Sequence, residues 1–172
     1  GSWDQYAPTP VSTFDDVAVR HVASGRKHTL VATRTGGLWA WGKTKFGRLG
    51  LSGAPAQCDH CSTPVPVPMP MPMPVPSPAA GTDDTLDVVQ VGAGYWHSAC
   101  LTADGRVWVW GACEGHPTEA GVIAAKQGVE VPLQLVLEGD LSAEAATAAA
   151  ALVGAAEISC GGSRTAVRLR DG

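Results

Sequence analysis

The 172-residue sequence contains no asparagine, only four lysines and two isoleucines, and just 16% of its residues are charged. With a net charge of −4, this excludes a highly charged disordered chain and a basic nucleic-acid-binding module. The scarcity of Asn, Lys and Ile beside abundant Ala, Gly and Pro reads as the coding bias of a GC-rich source, which says nothing of function. Long hydrophobic runs are absent too. The most apolar stretch lies near Ala145–Val153, about nine residues, whereas a membrane-spanning helix needs roughly 20. Cysteine is sparse and odd in number (Cys58, Cys61, Cys100, Cys113, Cys160). A disulfide-stapled miniprotein is therefore excluded and an intracellular, reducing compartment is expected, with nothing to choose between cytoplasm, nucleus, cilium and organelle. The opening Gly1-Ser2, without methionine or a basic-then-apolar leader, is expected to be a cloning scar or the start of an excised segment.

What is present is internal repetition. Residues 17–51 align without gaps on residues 87–111, so that Gly25 matches Gly94, His28 matches His97, Gly36 matches Gly105, Trp39 matches Trp108, and Trp41-Gly42 matches Trp110-Gly111. A shorter copy spans 155–172, with Gly161 at the first glycine position; the successive spacings are 69 and 67 residues. Short β-forming runs separated by glycine-containing turns give each copy three legible antiparallel strands. Asp104-Gly105 marks a tight hairpin turn, because glycine takes positive φ at little cost. In the run Val107–Trp110, period-2 alternation puts the valines on one face and the tryptophans on the other. Both faces are apolar, so the sheet is predicted to be covered on both sides, as in a propeller whose blades stack face to face.

The valine run, Gly-x-x-His, hydrophobic strand, turn glycine and Trp-Gly, followed in copy one by Gly47-Arg48-Leu49-Gly50, resemble the repeat of the regulator of chromosome condensation family. The resemblance covers under half the chain and implies an all-β fold, part of a seven-bladed β-propeller with two to three blades. Copy three departs from the pattern, with Arg164 where His28 and His97 stand, and copy two departs after Gly111. Two copies and a fraction leave blade faces and edges open. Either the chain is a fragment of a longer propeller or it completes its blades with another polypeptide.

The predicted organisation is a tail (1–16), repeat one (17–51), a proline-rich insertion (52–86), repeat two (87–121), an inserted strand and Ala-rich helix (122–154) and a truncated repeat three (155–172). Thr63–Pro78 has proline at every second position. It predicts a polyproline II rod of roughly 45 Å lying as a surface loop between blades. Even proline spacing leaves no Pro-x-x-Pro, which argues against an SH3 ligand. Leu141–Val153 predicts one short helix capped by Ser142. Val129–Leu137 predicts an outer strand of the second blade, with Pro132 at an edge.

Cys58 and Cys61 have the spacing to chelate one zinc ion, and His60 and His116 could assist. No second such pair exists, so the expectation is reduced loop cysteines, no metal and no cofactor. His28 and His97 recur at one position of the repeat, which argues for backbone hydrogen bonding between neighbouring sheets where Gly25, Gly94 and Gly161 permit close approach, rather than for catalysis. Trp41 and Trp110, each followed by a glycine (Gly42, Gly111), read as packing anchors. No nucleophilic triad, phosphate loop or carboxylate pair stands out, so no enzyme is expected.

The resemblance implies a protein-interaction or scaffolding module whose blade loops and open edges meet protein partners, with no nucleic acid and no membrane span expected. A second implied class is nucleotide exchange on a small GTPase. A third, ultraviolet-B sensing, uses tryptophans in a Gly-Trp-Arg-His motif; here Arg26, Tyr95 and Gly162 stand at those positions and Trp96 is displaced by one, which disfavours it.

Overall fold

Short apolar runs between glycine turns can satisfy their backbone only by pairing. The computed structural model shows that pairing for the residues described here: 7–52, 58–70, 86–112, 117–118, 121–122, 128–135 and 154–170. A 3₁₀ turn at Ser12–Phe14 precedes strands β1 (Val19–Ser24), β2 (His28–Thr33), β3 (Leu38–Lys43) and β4 (His60–Pro66), which form one antiparallel sheet in that order. The second sheet contains β5 (Val88–Ala93), β6 (His97–Thr102), β7 (Val107–Gly111) and β10 (Val129–Gln134), in the order β10-β7-β6-β5. Between β7 and β10 lies a two-residue ladder, β8 (Pro117–Thr118) with β9 (Gly121–Val122), and the third repeat is a hairpin of β11 (Ala155–Gly161) and β12 (Arg164–Leu169). The described architecture is all-β, a partial β-propeller of two four-stranded blades and a third, two-stranded one. The Ala-rich segment Leu141–Val153, His116, Cys113 and the second half of the proline tract lie outside the described residues.

The alternation in β7 sorts the core into two layers. Trp108, Trp110 and Cys100 share one cluster with Leu30, Ala40 and Leu49 of blade one. Val107, Val109, Ala99 and Leu101 share another with Ala155 and Ile158 of blade three. Every residue of β6 and β7 is buried, so the two inner strands of the central blade have no solvent face, while its outer strand β10 exposes Glu130 and Val131. At about 25 cal/mol per Å² of apolar surface removed from water, each layer glues two blades, and neither blade has a core without its neighbour.

Each of the first two blades has four strands, one more than the three legible in the repeat. In blade two the fourth is β10, an edge strand that carries Pro132. In blade one it is β4, drawn from the segment read as a polyproline rod. Over Thr63–Pro66 that reading is corrected by ladder pairing of Val65 with Ala40 and of Pro66 with Trp39. The reason is the even proline spacing itself. In an antiparallel ladder alternate residues bond to the neighbour, and Val67 N donates to Leu38 O at 2.9 Å. Pro64, Pro66 and Pro68 occupy the positions between, whose missing N–H groups would have faced the unpaired side. Meanwhile Val65, Val67 and Met69 pack on the first core layer. The tract is thus an edge strand with no outward donors, a known protection against pairing with another chain. Restoring those donors with the double substitution Pro64→Thr, Pro66→Thr is expected to produce concentration-dependent self-association in light scattering, with little loss of stability. A variant as monodisperse as the parent would contradict this.

Candidate functional site

The blades meet along a seam whose contacts recur. Arg26 N donates to Gly94 O (3.2 Å), and Tyr95 N to Gly162 O (2.7 Å). Val88 N donates to Gly36 O (3.3 Å), and Ala155 N to Gly105 O (3.0 Å). Val91 N reaches His21 Nδ1 at 3.5 Å; at the matching place, the Gln90 amide exchanges two hydrogen bonds with the backbone of Ile158 at 2.9 and 3.0 Å. Each blade therefore docks on the next through its turns and one polar side chain of its first strand. Gly25 and Gly94 sit where the chains approach: a Cβ on Gly94 would lie 2.7 Å from Gly162 O, and one on Gly25 would run into Gly94 O. Gly161 is different. A Cβ there would meet nothing within 4 Å, and the carbonyl that Gly94 approaches is that of Gly162.

His28 and His97 face across the seam toward hydroxyls of the next blade, and His28 also hydrogen-bonds the His97 backbone there. His28 Nε2 is 2.8 Å from Ser98 Oγ, and His97 Nε2 is 3.0 Å from Thr165 Oγ1. Ser98 Oγ in turn donates to Arg48 O at 2.7 Å. Because its one proton is committed there, it must accept from His28, which fixes the Nε2–H tautomer and leaves Nδ1 bare. Burial, then the Arg48 charge and His97, lower the His28 pKa to about 4, against an opposing hydrogen bond to the His97 backbone. The folded state thus holds His28 neutral, while the unfolded chain takes up its proton near pH 6.5. Stability is complete above that pH and falls as pH drops toward 4, by about 3 kcal/mol in all. Urea unfolding at pH 7.5, 5.5 and 4 checks the slope, and His28→Gln is expected to flatten it.

Trp110 is fully buried between blades one and two, and its Nε1 donates to Arg48 O at 3.0 Å. Trp41 points to the other face of blade one, where it is half-buried beside Phe14 at 6.2 Å between ring centroids. The two tryptophans share a repeat position and differ in cover. Gly42 (φ +111°) and Gly111 (φ +88°) take left-handed conformations against the backbone of Lys27 and Trp96. Cys58 is exposed and Cys61 half-buried. Burial first, and Cys58 second, push the Cys61 thiol up, which opposes the thiolate that zinc requires. Among the described residues no third ligand joins them.

Above the seam lies a cluster that repeat comparison could not find. Arg48 is 1% exposed, yet among the described residues no carboxylate pairs with it; the ion pairs there are Arg20–Asp87, Arg106–Asp104 and Arg168–Glu157. Its guanidinium donates to Lys45 O (2.8 Å) and Tyr95 O (3.3 Å) and lies 4.9 Å from the Trp96 ring centroid. Arg26 approaches the same ring at 5.2 Å, and Phe46 meets it edge-on at 5.6 Å. Phe46 adopts φ +68° within a 3₁₀ turn at Lys45–Gly47, a strained conformation for an aromatic residue. Arg48 has no counterpart in copy two, whose ending departs after Gly111, so the repeat carries no mark of it. Ser98 and Thr165 left a fainter signal, as hydroxyls one residue beyond His97 and Arg164.

The family model described as Regulator of chromosome condensation (RCC1) repeat matches residues 35–101, and a second of the same description matches residues 19–48. The human (Homo sapiens) E3 ubiquitin-protein ligase HERC2 is 34% identical over 127 residues, covering 70% of this chain and 2% of that protein. Human WBSCR16 superposes with a TM-score of 0.63 at 25% identity, covering 90% of this chain and 31% of that one. Yeast RCC1 (Prp20), solved with Kap60 bound, superposes at 0.61 with 18% identity and 30% of its chain covered, a likeness of fold alone. The chain thus spans a small part of the ligase and under a third of either propeller. The three blade segments, the seam that repeats between them and the family matches agree: the chain belongs to the regulator of chromosome condensation repeat family.

Proposed function

We propose that the chain is a protein-interaction or scaffolding module, non-catalytic in itself and intracellular, working through the rim turns of its blades. One observation carries the reading: Tyr95, 52% exposed, and half-buried Trp96 stand on a turn whose backbone is tied to both neighbouring blades. Ordering this turn costs no entropy on binding because folding has already fixed it. Tyrosine and tryptophan are the side chains that interfaces favour, and loops on a rigid frame are where binding surface concentrates. The propeller solved with Kap60 is one protein of this fold holding a protein partner.

A photo-crosslinking amino acid at Tyr95, used in extract of the source organism, is expected to trap one discrete protein above the background from a control at Arg168. Equal yield at both positions would sink the reading. Release of a fluorescent guanine nucleotide from purified small GTPases separates the runner-up: acceleration by the chain would make it an exchange factor, while unchanged release is expected.

A further inference from the structure

The chain is acidic overall, with a net charge of −4, but one part of its rim is basic and aromatic. Arg26 and Lys45 are exposed, Lys27 adjoins them and Arg48 lies beneath. Their cationic heads sit on rings: Arg26 at 5.8 Å from Tyr95 and 5.2 Å from Trp96, Lys45 at 5.0 Å from Phe46, Arg48 at 4.9 Å from Trp96. Two segments packed nearby carry carboxylates, Asp59 and Glu130, but neither forms an ion pair with any of these cations among the described residues. Every ion pair described lies elsewhere. Arg48 is the most telling, since a buried guanidinium normally has a carboxylate partner. Here its hydrogen bonds go to two carbonyls, and burial, with Arg26 second, already works against its charge. An unneutralised cation behind a low-dielectric aromatic wall projects its field outward.

We infer that the rim formed by Arg26, Lys45 and Arg48 around Tyr95, Trp96 and Phe46 is a docking site for an acidic peptide segment of a partner protein. The inference rests on the interaction-module reading and names its partner chemistry. Carboxylates of the segment pair with Arg26 and Lys45 at the exposed edge, and an apolar side chain between them covers Tyr95. Single-stranded nucleic acid fits the surface less well. It needs an open ring face for each base, and the Trp96 ring is already engaged by two guanidiniums and by the Phe46 edge. A long polyanion would also meet the repulsion of a chain that is negative elsewhere.

The test is fluorescence anisotropy of the whole chain with a short labelled peptide of Glu and Asp flanking one Phe. The comparison probes are the same peptide with Gln and Asn in place of the acids, and an oligouridylate. Expected are saturable binding of the acidic peptide that weakens with salt, at least tenfold weaker binding of the amide peptide, and no preference for oligouridylate. Arg26→Gln with Lys45→Gln, both exposed and so compatible with an unchanged melting temperature, is expected to weaken acidic-peptide binding at least tenfold. Equal affinity for acidic and amide peptides, no binding, or tighter oligouridylate binding would overturn the inference. If the peptide fails while Tyr95 still crosslinks to one protein, the docking chemistry is wrong and the module reading stands; if both fail, both fall.

Discussion

Truncating Trp110 to alanine is expected to lower the unfolding free energy by about 3–5 kcal/mol, the range for emptying a buried aromatic site. The indole is fully buried in the layer joining blades one and two, against Leu49 and the backbone of Gly50. Its removal opens a void that stiff strands on both sides cannot collapse into. The lost N–H matters less, since Arg48 O keeps the Ser98 hydroxyl as a donor. Trp110→Phe should therefore recover most of the loss. Trp41→Ala is the internal comparison: half-buried and covered from one side by Phe14, it should cost less than half as much. Urea unfolding of the three variants decides the matter. Equal losses at Trp41 and Trp110 would show that cover between blades is not what sets the cost.

Gly111→Ala is expected to be at least as damaging, by the opposite mechanism. Its φ of +88° is a conformation in which an alanine loses roughly 1–2 kcal/mol. In addition, the new methyl would lie 2.6 Å from Trp96 O, 2.9 Å from His97 Cα and 3.2 Å from Arg48 Cα. These are backbone atoms of blade two on one side and blade one on the other, so no rotamer change relieves the overlap. A loss above about 3 kcal/mol is expected, and with native stabilities of about 5–15 kcal/mol much of the cooperative transition would go with it. Gly154→Ala separates the two contributions. It shares the positive φ, +94°, but its Cβ would meet nothing within 4 Å, so only the conformational cost should appear. If Gly154→Ala and Gly111→Ala melt alike, the close approach of the blades carries no weight.

A good deal of this molecule was legible in its residues because the relevant physics is local or repeated. Period-2 alternation in Val107–Trp110 alone separates the face that meets blade one from the face that meets blade three. Asp104-Gly105 predicts its turn, and the recurrence of Gly-x-x-His marks the two places where chains come close. The fourth strand of blade one was not legible in the same way. A proline-alternating run has no donor for half its residues, and only the presence of β3 on one side makes the other half sufficient.

The sequence by itself therefore determined the repeat, its first three strands, the turn glycines and which side chains share a face, since each depends on residues a few positions apart. The tertiary structure alone decided who meets whom across the seam. His28 finds Ser98, Trp110 finds Arg48 O, and two arginines converge on Trp96, in pairings between residues 48 to 70 positions apart. The first recurs as His97 with Thr165, but the contacts of Arg48 follow no period. They exist because stacking twisted sheets at a fixed separation brings the same edge of successive blades together, and because one residue of copy one with no counterpart in copy two, Arg48, is caught between them with no carboxylate partner among the described residues.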